Sequence, residues 1–142
     1  MLGILYSMMA GVFISVQSAF NANVSTKVGG VETTAIVHGV GFIASLILLS
    51  FWREGDVSKI GEVNKLYLLG GVLGVGIVFS AMKGVSLLGA AFSISILLVA
   101  QLLVAVLIDT FGLFGMDKVA LTVNKPIGIL IMIIGVLIFQ SK

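Results

Sequence analysis

The chain of 142 residues is 59% hydrophobic and 10% charged, where soluble domains run near ~25% charged. That much apolar surface exceeds what a core of this size can bury, so lipid must solvate the remainder. Cysteine is absent and histidine occurs once, which excludes disulfides, thiolate ligands, cysteine nucleophiles and a structural zinc site; the net charge of +2 comes from basic residues standing singly in loops, as membrane-flanking anchors do, and not from a nucleic-acid-binding patch.

Five apolar stretches fill almost the whole chain: Met1–Ala22, Thr33–Phe51, Leu66–Met82, Leu87–Ile108 and Pro126–Phe139. About 20 apolar residues carry a helix across the ~30 Å hydrocarbon layer. The predicted fold class is therefore all-α, a polytopic membrane protein whose five transmembrane helices make a single domain over residues 1–142. The first stretch lacks a basic leader, and its apolar run is longer than that of a signal peptide. It reads as a retained first helix.

Helix 1 carries Ser7, Ser15, Gln17 and Ser18 and ends near Asn21 and Asn23. A loop over Ser25–Glu32 follows, with the turn signal Gly29-Gly30. Helix 2 carries His38 about two turns in. The connection Trp52–Lys65 is the most charged part of the chain and reads as a solvated loop, with a short surface helix over Asp56–Asn64 and Trp52 at the interface. Helix 3 contains Gly70 and Gly74, a G-x-x-x-G step that permits close helix packing. Lys83-Gly84 is expected to break the chain tightly before helix 4, with Lys83 snorkelling to the interface. Helix 4 runs to about Asp109 and leads into Phe111-Gly112-Leu113-Phe114-Gly115. Asn124 and Pro126 read as the N-cap and an early position of a short, plain helix 5.

Five spans put the termini on opposite sides. Five Lys or Arg residues (Arg53, Lys59, Lys65, Lys118, Lys125) then share the N-terminal side, against three (Lys27, Lys83, Lys142) on the other. The positive-inside rule favours a cytoplasmic N-terminus by a small margin, which leaves dual insertion open. Two copies in opposite orientations would form an antiparallel ten-helix pair with the in-plane pseudo-two-fold axis of inverted-repeat transporters.

Polar groups within apolar spans are costly, so their positions point to function. Gln17 and Asn21, four residues apart, share a helix face. Ser93, Gln101 and Asp109 form a slanted polar stripe on helix 4. Each has a plainer reading. The amides can bridge helices, Asn21 can cap one, and His38 can donate a packing hydrogen bond. Asp109 can sit solvated at a helix end or bond loop backbone around Phe111–Gly115. In the sharper reading Gln17, Asn21, His38 and Gln101 bind substrate and Asp109 carries a coupling proton or cation. No nucleophile–base pair, metal triad or phosphate loop is evident, so an enzyme is not expected, nor a cofactor.

The pattern Gly11-x5-Gln17-x3-Asn21, then Val24, together with Gln101-Leu102 and Asp109-x-Phe111-Gly112-Leu113-Phe114-Gly115, resembles the YdcZ family, a five-helix branch of the drug/metabolite transporter superfamily. Length and helix count agree over the whole chain. Where the family's pattern carries a proline near helix 4, this chain reads Lys83 to Gly89 without one. The resemblance implies a bacterial cytoplasmic (inner) membrane protein, a small-molecule substrate, and a homodimer or a paralogue heterodimer in antiparallel arrangement. Small multidrug exporters carry a helix 1 glutamate where this chain has Gln17 and Asn21, so polar, neutral or zwitterionic cargo fits better than cationic drugs. The expected function is transport by alternating access. The alternatives are a non-transporting subunit that stabilises or regulates a partner, and a small multidrug-type cation exporter.

Overall fold

A computed structural model describes residues 2–141. The predicted helix start at Met1 and the Lys142 of the charge comparison lie outside the described residues. The α-helices are α1 (Leu2–Val28), α2 (Gly30–Phe51), α3 (Gly70–Leu88), α4 (Ala90–Phe111) and α5 (Asn124–Gln140), and there are no strands among the described residues. Short 3₁₀ turns cover Val57–Glu62, Lys65–Leu69 and Leu113–Gly115. A chain in hydrocarbon must satisfy its backbone polar groups internally, and the helix does this within one segment.

Four stretches are long and apolar enough to cross a membrane: α1, α2, Lys65–Leu88 and α4. The fifth helix is as apolar but has 17 residues, about 25 Å at ~1.5 Å per residue. Large apolar side chains lie exposed along every helix, among them Phe13, Phe42, Leu73, Leu103 and Ile131. Apolar surface this extensive marks contact with lipid or with other membrane helices.

The chain divides into two compact units, Met1–Ser86 and Leu87–Lys142. In the first, α1 packs against α2. Its buried residues are small or polar on α1 (Ser18, Asn21, Ala22) and α2 (Thr33, Thr34), while α3 adds Ala81 and the larger apolar Met82 and Val85. The α1 set follows an i, i+3, i+4 spacing and the α3 set i, i+1, i+4, each on one side of its helix. Small side chains at such faces let helices approach when lipid removes the hydrophobic drive for packing. Gly30 of α2 shows the closeness: a Cβ there would lie 3.1–3.3 Å from Lys83, Met82 and Phe79 side-chain atoms of α3. In the second unit α4 packs on α5, and Ser93 and Ile129 are buried.

The expected break at Lys83-Gly84 is absent. Helix α3 runs through both residues to Leu88, and the chain breaks at Gly89 (φ 81°, ψ 160°). An interior glycine costs a helix only about 1 kcal/mol, whereas the conformation at Gly89 is one that essentially only glycine adopts. Lys83 is exposed and points its ammonium over the Phe79 ring, 5.9 Å from the centroid. The loop expected over Ser25–Glu32 likewise shrinks to one residue, Gly29 (φ 97°, ψ 155°), between α1 and α2. Both joints keep the hydrogen-bond ladder nearly whole. The Gly29 N–H donates to Ser25 O (3.1 Å), Thr33 N–H to Gly29 O (3.1 Å), and Ser93 N–H to Gly89 O (3.2 Å).

The surface helix expected over Asp56–Asn64 is a 3₁₀ turn, capped by the Asp56 carboxylate, which accepts from the Ser58 N–H at 2.9 Å and its hydroxyl at 2.8 Å. Asn124 is not an N-cap. It is the first residue of α5, preceded by Val123 in helical conformation, with Pro126 inside the first turn. A cap residue needs non-helical dihedrals to turn its side chain onto the helix N–H groups, and neither residue provides this.

Candidate functional site

Most hydroxyls in the helices are already spent. Ser7, Ser15, Thr33, Thr34, Ser86 and Ser95 donate to the carbonyl four residues back, and Ser45 and Ser50 to the one three back, all at 2.6–3.0 Å. A hydroxyl so bonded exposes little polarity to its surroundings. The polar groups left for other work are fewer than composition suggests, and they concentrate in the first unit.

There, a cleft of about 280 Å³ is bordered by Gln17 of α1, by Val37, His38, Gly41, Phe42 and Ser45 of α2, and by Val78 of α3. Gln17 also borders a groove of about 370 Å³ along α1 with Phe13, Phe20 and Asn21. His38 borders a further cleft of about 520 Å³ between α2 and α3, with Val31, Thr34, Ala35, Val75 and Phe79, which is almost wholly apolar. The predicted Gln17–Asn21 face is therefore present, with unequal members: Asn21 is 5% exposed, whereas Gln17 is open. Asn21 lies within α1 rather than at its end, so it is not a cap.

His38 is half-buried and fixed by one bond, from Nδ1 to the Thr34 carbonyl oxygen at 2.8 Å. A carbonyl only accepts, so Nδ1 donates in this bond, and in the imidazole tautomer that it selects Nε2 presents a lone pair. The Nε2 atom faces Gly74 of α3, whose missing side chain leaves that edge open; a Cβ there would lie 3.7 Å away. No side chain among the described residues donates to Nε2.

In the second unit, Gln101 is exposed and Asp109 half-buried on α4. The apolar cleft between α4 and α5, about 390 Å³, is bordered by Phe92, Ile96, Leu103, Ile133 and Leu137 among others, and neither Gln101 nor Asp109 is among its walls. The slanted stripe on α4 has one buried member, Ser93, and two more open ones. The Asp109 backbone carbonyl accepts from the Val119 N–H at 2.9 Å. Three residues on, Gly112 ends α4 in the left-handed conformation (φ 63°), and its N–H donates to Ile108 O. The Asp109–Gly115 motif thus acts first as a helix stop that folds the following loop back.

Sequence reasoning did not single out Thr33 and Thr34, which are buried beside the Gly29 joint. The available signal was the Gly29-Gly30-x-x-Thr33-Thr34 spacing, which lets two hydroxyls return to the two glycine carbonyls. No group of His, Asp and Glu able to hold a metal ion occurs among the described residues.

Residues 2–138 match the family described as "Putative inner membrane exporter, YdcZ", and the chain belongs to that family. It is a multi-pass inner-membrane protein of transporter type, and the family is not one of enzymes. Comparison with curated proteins and with solved structures gives no match.

Proposed function

We propose that this member of the YdcZ family exports a small polar, neutral or zwitterionic metabolite by alternating access, as an antiparallel dimer of five-helix protomers. The observation that carries this reading is the cleft shared by Gln17 of α1 and His38 of α2. Two hydrogen-bonding groups from separate helices converge there within apolar walls, the usual composition of a small-molecule site. Asn21 extends the polar face by one turn. Gln101 is proposed to bind cargo as well, and Asp109 to carry the coupling ion.

The fifth helix supports the odd count of crossings. A span of about 25 Å is short for the hydrocarbon layer, but modest bilayer thinning accommodates such a mismatch at a small cost. Five crossings and a nearly even charge balance allow one sequence to insert both ways, so a second copy or a paralogue completes the pair. Each 142-residue protomer then serves as one transmembrane domain.

Efflux from proteoliposomes, screened with neutral and zwitterionic metabolites, tests the reading. Gln17→Leu and Gln101→Leu should each lower flux about ten-fold, the scale of one or two lost hydrogen bonds, while insertion and dimer cross-linking persist. Unchanged flux in both variants would remove the cavity role. The chain lacks cysteine, so a single cysteine introduced at either end reports its side of the membrane. If both ends of one molecule label from the same compartment, the antiparallel scheme fails.

A further inference from the structure

We infer that Nε2 of His38 accepts a hydrogen bond from the transported molecule, and that this molecule is a neutral compound bearing an N–H or O–H donor on an apolar body. Since it names what the cleft carries, this assignment rests on the transport reading above.

Three observations converge on it. The first is the tautomer. The Thr34 carbonyl lies 2.8 Å from Nδ1 and can only accept, so of the two imidazole tautomers it selects the one with Nε2 as acceptor. The second is vacancy of the right kind. Nε2 faces the bare backbone of Gly74, and the neighbouring hydroxyls of Thr34 and Ser45 are committed to Gly30 O and Phe42 O. An acceptor held in an apolar membrane interior without a donor is costly, so a visiting donor is favoured there. The third is charge. Neither cleft bordered by His38 has an Asp, Glu, Lys or Arg in its walls. An anion or cation seated there would be desolvated without a counter-ion, a penalty well above the value of one hydrogen bond.

Gln17 supplies the complementary pair, an amide that both donates and accepts, across the same cleft. Phe42, Val37 and Val78 supply apolar wall. The volume, about 280 Å³, is at the lower end of small-molecule sites, which limits the cargo to a compact molecule.

The single histidine makes the test direct, because isotopically labelled histidine reports one ring only. Nitrogen NMR of the full chain in bilayers should show a protonated Nδ1 and a bare Nε2. Benzamide and benzyl alcohol should shift the Nε2 line saturably, while benzyl methyl ether, which lacks a donor, and benzoate, which is an anion, should not. His38→Phe should weaken benzamide binding about ten-fold, as loss of one hydrogen bond predicts. A proton on Nε2, an Nε2 line unmoved by both donors, or benzoate binding as tightly as benzamide would overturn the assignment. A protein that exports metabolites yet gives any of those results keeps the transport reading and loses this one. A protein whose histidine responds as expected yet carries no flux keeps the binding site and loses transport.

Discussion

Thr33 closes onto Gly29 twice: its N–H and its hydroxyl both donate to the same glycine carbonyl, at 3.1 Å and 2.6 Å. The threonine is wholly buried and the glycine sits at φ 97°. Together they make a one-residue joint between α1 and α2, and that joint determines which residues of the two helices meet.

Replacing Gly29 should therefore destabilise the protein. An alanine at that dihedral is strained by about 1–3 kcal/mol, and its Cβ would run into the Glu32 carboxylate. Gly29→Ala should lower the thermal midpoint in detergent micelles. Gly39→Ala provides the contrast. That glycine is helical with open space around it, so the change should be neutral or stabilise by up to about 1 kcal/mol. Equal midpoints for the two variants would count against the joint.

The threonine hydroxyl should be separable from its methyl group. Thr33→Val removes the bond to Gly29 O and should cost about 0.5–1.5 kcal/mol. Thr33→Ser keeps the donor and should recover most of that loss. Reversible unfolding in mixed micelles compares them, and a serine variant no better than valine would show that packing alone matters at this position.

Met82 is wholly buried and lies against Gly30 of α2. In a membrane the transfer of an apolar side chain into lipid gains little, so truncation costs mainly the lost contacts. Met82→Ala should destabilise the first unit by about 2 kcal/mol, the low end of the range for soluble cores. Met82→Leu, close in volume, should cost less than about 1.5 kcal/mol. Steric-trapping or denaturant titrations would read the difference.

The exposed Asp56 carboxyl is held below its ordinary value of 3.8, first by the Ser58 hydroxyl and then by the Ser58 N–H, which both donate to it. A depressed pKa means that the folded turn favours the charged form. Its contribution is therefore complete above the ordinary carboxylate range and is lost as pH falls through the lowered value. The protection of the Ser58 amide, taken relative to its intrinsic exchange rate at each pH, should fall on acidification below that range, and Asp56→Asn should remove most of this pH dependence. An amide whose protection ignores both changes would show that the cap is unimportant to the turn.

The α1 and α2 boundaries show where sequence reading stops. The apolar run of the first stretch ends at Ala22, but α1 continues through Asn23, Ser25, Thr26 and Lys27 to Val28. Hydropathy marks where lipid ends, while the helix continues as long as its bonds are met, and here Ser25 and Thr26 return their hydroxyls to Ala22 O and Asn23 O. Lys27 in the last turn also complements the negative end of the helix dipole. At Lys83-Gly84 the local signal misled for a related reason. Glycine permits a break without requiring one, and the break fell at Gly89.

The sequence alone was enough to establish residence in the membrane, the approximate helices and the family motif, because apolar run length and residue spacing are local properties. The pairing of Gln17 with His38, the burial of Asn21 beside an open Gln17, and the free nitrogen of the imidazole required the tertiary structure. Those features depend on how separate helices are turned toward one another about a single glycine, and helical periodicity cannot encode that angle.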